Sequence, residues 1–161
     1  MAPFIAQFLS WLEASSWAVS IRQSLWLYPA LEIVHIVGIV ILVGAALMFD
    51  LRLLGFSRNL SIVFLARHLL PWSRRGLWLI IPSGILLFIT NAQALGADPT
   101  FWLKMILLIL AALNVLVFHR FIFRNRSDSE VPNISPLNKI SAIISIIVWV
   151  AIIACGRLLA Y

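Results

Sequence analysis

WLYPALEIVHIVGIVILVGAALMF, residues 26–49, carries no charged or imidazole side chain except Glu32 and His35. As a helix rising 1.5 Å per residue it extends about 36 Å, more than the roughly 30 Å of a bilayer's hydrocarbon core. The run is continuously apolar rather than alternating, which predicts a helix and not a barrel strand, because lipid offers no partner for an unbonded backbone group. Three more stretches follow the same rule: 77–90, continued by milder residues to 95, then 101–123 and 140–160. Together they predict an all-α, polytopic membrane four-helix bundle that forms a single domain over 1–161.

Composition agrees. Of the 161 residues, 63% are hydrophobic and 11% charged, and the mean hydropathy is +1.04. A soluble domain of this length is about half apolar and about a quarter charged, so it could not hide this much hydrocarbon from water. The net charge of +6 does not indicate nucleic acid, because the basic residues sort by side of the membrane. Arg52, Arg58, Arg67, Arg74 and Arg75 fall between the first two spans, and Arg120, Arg124, Arg126 and Lys139 between the last two. The other side has Arg22, Lys104 and Arg157. Under the positive-inside rule both basic links are cytoplasmic and both termini are outside. Trp11, Trp17, Trp26 and Trp102 then mark an outer aromatic belt, and Trp72 and Trp78 an inner one.

Residues 1–22 do not read as a cleavable signal, since no positive charge precedes Arg22. Phe4, Ile5, Phe8, Leu9, Trp11 and Leu12 recur at helical spacing, which predicts an interfacial amphipathic helix on the outer surface. A second such piece is expected over 60–70 on the inner surface, ended by Pro71. The single Cys155 has no internal disulfide partner.

Ionisable groups inside hydrocarbon cost several kcal/mol, so each is a functional candidate. Glu32 and His35 stand three residues apart on one face of the first span, with Gly38 a turn further on. His35 is expected about 14 Å below the outer surface and Lys104 about 5 Å. A lysine stem bridges part of that difference, so an outer-half site between the first and third spans is expected. His119 falls about 27 Å deep and should not face His35. The same residues also admit a structural reading, with His35 as a helix-to-helix hydrogen bond and Glu32 paired to Lys104. Asp50 and Arg52 read as an interfacial charge cluster, His68 as solvated at the inner surface, and Gly38, Gly44 and Gly84 as packing positions. No phosphate loop, CxxC pair or HExxH motif is present.

ALEIVHIVGIVILVGAALMFDLRLLG (30–55) resembles the first core helix of small bacterial membrane proteins related to CopD and to HemJ-type protoporphyrinogen oxidases. FWLKMILLILAALNVLVFH (101–119) resembles their later helix, with a lysine near its start and a histidine near its end. YPALEIVH, LLPW and NVLVFH look closer still to a family of four-helix bacterial membrane proteins that is a domain of unknown function. The HemJ likeness implies haem b, with His35 an axial ligand and Lys104 interacting with the cofactor; with such a site, Glu32 would orient His35 or affect its proton chemistry, and His119 is the best candidate for another ligand. The CopD likeness implies copper handling, but three methionines and one cysteine supply no soft-ligand cluster.

The resulting expectation is a haem b-binding protein of the bacterial inner membrane with a role in electron transfer. It would be the membrane anchor or quinone-side subunit of a redox assembly, or a homo-oligomer, in contact with lipid. The alternatives are a cofactor-free structural or assembly subunit, and a permease for a small solute or metal ion.

Overall fold

The computed structural model describes residues 3–57, 59–117 and 136–159. They form seven helices and no strand: α1 (Pro3–Glu13), α2 (Ser16–Gln23), α3 (Leu27–Leu54), α4 (Ile62–Thr90), α5 (Ala92–Ala97), α6 (Pro99–Val117) and α7 (Pro136–Leu158). By length and composition α3, α6 and α7 can each cross a membrane. The described residues are therefore all-helical, with three such helices and a fourth long helix, α4, packed against α3.

Two expected elements differ from what is observed. The N-terminal amphipathic segment is two helices, because the Ser15 hydroxyl accepts from the Ala18 amide and caps a new helix at that point. The helix expected to stop before Pro71 runs on as one rod through Pro71 and Pro82. A proline removes one backbone donor and loosens the turn before it, and serine hydroxyls add bonds to other carbonyls of the same turns. Ser73 donates to the Leu69 carbonyl at 3.1 Å, and Ser83 to the Leu79 carbonyl. At the other end of the hairpin α3 stops at Gly55, whose φ of 106° is left-handed; its amide caps Arg52 and that of Phe56 bonds Leu51.

α3 packs antiparallel along α4 on one side and along α7 on the other, and α7 carries α6. The closest approach is the α3–α4 crossing. A Cβ on Gly76 would lie 2.9 Å from the Gly38 carbonyl oxygen and 3.0 Å from the Leu42 amide nitrogen. Only a residue without a side chain lets two backbones meet like this. The α3–α6–α7 core is built from Val43, Ala111, Trp149 and Ile152. α4 and α6 have no close backbone approach among the described residues, and Phe88 stacks on Phe101 across that side with ring centroids 5.1 Å apart.

α1, α2 and α5 cover the end of the molecule where α4 finishes. Arg22 donates to the Thr90 carbonyl at 2.8 Å and to the Glu13 carbonyl, while both carboxylate oxygens of Glu13 accept from Gln93 at 2.8 Å. One guanidinium thus satisfies a last-turn acceptor of α4 and ties three helices together. Leu9 is buried against Gly96, whereas Phe4, Phe8 and Trp11 face outward. Trp17, Trp26 and Trp102 are likewise exposed near this end, and Trp72 and Trp78 toward the other end of α4.

Candidate functional site

His35 is half-buried on α3, facing α4. Its Nδ1 lies 2.9 Å from the Ser83 hydroxyl, and the Ile80 carbonyl is also within reach of the ring. Ser83 has its own proton committed to α4 carbonyls, chiefly that of Leu79. The hydroxyl therefore accepts from His35, so Nδ1 carries the hydrogen and Nε2 keeps its lone pair. Nε2 has no hydrogen bond among the described residues. Gly84 makes this possible: a Cβ there would sit 3.0 Å from Cε1 of the imidazole and 3.5 Å from Nδ1.

Lys104 approaches the imidazole from α6. Val43 and Ala111 share one core cluster on helices that run the same way, and seven residues back from each are Ile36 and Lys104. The two spans thus share packing against α7. Lys104 is close enough for its charge to act on the imidazole. It is half-buried, with Nζ 3.7 Å from where a Cβ on Gly156 would be, beside the buried Cys155. No ion pair or hydrogen bond engages its ammonium among the described residues.

Glu32 does not join them. It is exposed on α3, one turn from Tyr28, whose side chain meets Asn91, and no Glu32–Lys104 ion pair forms among the described residues. The pairing considered from sequence fails because Glu32 and His35, although three apart, differ by about 60° around the axis. That rotation turns His35 onto α4 and leaves Glu32 outside. His119 lies outside the described residues. His68 is exposed on α4, with Nδ1 3.0 Å from the Phe64 carbonyl and its ring against Phe64. No group of three or more His, Cys, Asp or Glu side chains among the described residues is arranged to hold a metal ion.

Sequence reasoning missed the partners on α4. From sequence Gly84 reads only as a packing position and Ser83 is not singled out as a partner, although their eight- and seven-residue spacing from Gly76 puts them on the face that meets α3. It also misread Asp50 and Arg52. Both are buried, at 7% and 8% exposure, and two residues apart they point about 160° from one another around the axis. Asp50 turns to α7, where the Ser145 hydroxyl is in reach, while Arg52 donates from Nε to the Leu60 carbonyl at 2.6 Å. Nearby, Asn114 and Ser141 exchange two hydrogen bonds between α6 and α7, at 2.8 and 3.3 Å.

The chemistry available here is limited and specific: one imidazole nitrogen with its lone pair free, and one primary amine whose charge reaches the ring. No curated protein and no solved structure matches the chain. A family profile does match, over residues 8–161, nearly the whole length. The chain belongs to that family, the Family of unknown function (DUF6644).

Proposed function

We propose that this chain is a four-span protein of the bacterial inner membrane, with both termini outside, that binds haem b through His35 and takes part in electron transfer. The observation that carries the reading is the Nδ1 contact to Ser83. Ligating histidines are commonly fixed by a hydrogen bond at the other ring nitrogen, which sets the tautomer and raises basicity. Here that bond is made by a hydroxyl whose own proton is already engaged, and Nε2 is left free. Lys104 is the cation placed to neutralise a propionate, and Gly84 and Gly156 keep bulk away from the imidazole and the amine. When bound, the haem would supply one-electron chemistry, with its potential set by the axial ligand and the apolar surroundings. The HemJ likeness of residues 30–55 and 101–119 points the same way. His119 is the candidate for a second ligand.

The topology rests on α4 as the fourth span. From Gly76 to Thr90 it has no charged residue, its polar Ser83 faces α3, and Trp78, Ile81 and Ile85 face outward. The sorting of arginines then sets the orientation. A subunit role, on the quinone side of a redox assembly, or a homo-oligomer suits helices whose apolar sides are so open: 6% of the most apolar window of α6 is buried.

The same His35–Ser83 contact also favours a second reading, in which it simply ties α3 to α4. The test is a dithionite-reduced minus oxidised spectrum of the detergent-purified protein, with pyridine haemochrome to identify and count the haem. A b-type α band that disappears in His35→Ala supports the proposal. A featureless spectrum from folded protein, unchanged after added haem, refutes it and leaves the helix tie.

A further inference from the structure

The N-terminal half of α4 has a basic face that the haem proposal does not use. Arg67 and Arg74 are seven residues apart, as are His68 and Arg75, so each pair points in nearly one direction two turns apart, about 10 Å along the axis. All four are exposed. Between and beside them stand Phe64, Trp72 and Trp78, at 54%, 51% and 80% exposure. The opposite face is buried, with Ile62, Leu65 and Ala66 at 8% exposure or less. The basic face is thus the outward side of a helix already anchored by its other side.

We infer that this face binds the headgroup of an anionic phospholipid. α4 has no Asp or Glu from Ile62 to Thr90, so nothing on the helix opposes an anion. Arg75 is held over the Trp72 ring at 4.7 Å, which fixes its guanidinium beside an aromatic of the kind that seats at headgroup level. Guanidinium forks match phosphate oxygens two at a time. Directly after Arg75 the chain enters the charge-free stretch 76–90, so the arginines stand where that stretch leaves the hydrocarbon. That position favours a lipid phosphate over a soluble anion.

The test is native mass spectrometry of the full-length protein in detergent, titrated with phosphatidylglycerol or phosphatidylcholine of the same acyl chains. Phosphatidylglycerol should be retained at least about tenfold better. Each basic residue near an anionic surface contributes about fivefold, so Arg74→Gln with Arg75→Gln should weaken phosphatidylglycerol by about 30-fold and leave phosphatidylcholine unchanged. Arg74→Lys with Arg75→Lys, keeping charge but losing the forks, should fall between. Equal retention of both lipids by the wild-type protein overturns the inference even if a variant does not fold. So does a folded double variant that keeps phosphatidylglycerol, and so does competition by inorganic phosphate at matched concentration, which would make the site one for a soluble anion. None of these outcomes depends on whether haem is bound.

Discussion

Replacing Gly76 by alanine should destabilise the protein, and replacing Gly44 by alanine should stabilise it. Both glycines lie in long helices, where alanine is the better residue by roughly 0.5–1 kcal/mol because it loses less backbone freedom on folding. Around Gly44 there is nothing within 4 Å of a new Cβ, so that gain is kept. At Gly76 the new Cβ would meet the Gly38 carbonyl at 2.9 Å and the Leu42 amide at 3.0 Å, where ordinary contact begins at 3.4 Å. Both obstacles are backbone, so no rotamer change relieves them. α3 and α4 must separate by about 0.5 Å, and a gap of that size removes about a quarter of the dispersion energy of each contact it opens. Overpacking of this kind costs about 1–3 kcal/mol. The two variants should therefore differ by about 2 kcal/mol or more, in opposite directions from wild type. Unfolding in mixed micelles of dodecylmaltoside and increasing SDS, followed by tryptophan fluorescence, measures this directly. If Gly76→Ala is as stable as Gly44→Ala, the close α3–α4 crossing is wrong, and with it the placement of Ser83 against His35.

Ser83→Ala should separate ligand positioning from helix tying. Interhelical hydrogen bonds in membranes average about 0.6 kcal/mol, so stability should fall by about that amount, while haem retention falls roughly tenfold or more as for other lost orienting partners; a haem titration showing unchanged affinity would contradict the proposed role. Arg22→Gln frees the Thr90 and Glu13 carbonyls, and amide exchange in α1 and α2 should quicken by about tenfold with the α3 core unchanged. Uniform exchange across the chain would show that the cap is not held there. Asn114→Leu removes both bonds to Ser141 and should cost about 1 kcal/mol in the micelle assay, with no effect on any haem spectrum.

What the sequence determined was the solvent and the class of fold. A chain this apolar, with runs near twenty residues, can satisfy its backbone only as helices in lipid, and that conclusion needs no tertiary contact. The candidates His35 and Lys104 were also legible, because an ionisable group in such a run is conspicuous. The partners were not. A serine, a glycine and a proline in an apolar helix look alike from sequence whether they face lipid or a neighbour, so Ser83 and Gly84 gained meaning only when Gly38 and Gly76 set the register of α3 on α4. Depth is hidden for a related reason: counting from the start of each span assumes a common plane, whereas the packing of α3 and α6 on α7 decides how close Lys104 comes to His35. Rotation about the axis was equally hidden. Three residues of spacing placed Glu32 and His35 on one broad face, and two placed Asp50 beside Arg52, yet helix contacts turned the first pair apart and buried the second on different neighbours. Periodicity fixes which residues share a helix face, and only the packed neighbours decide what that face meets.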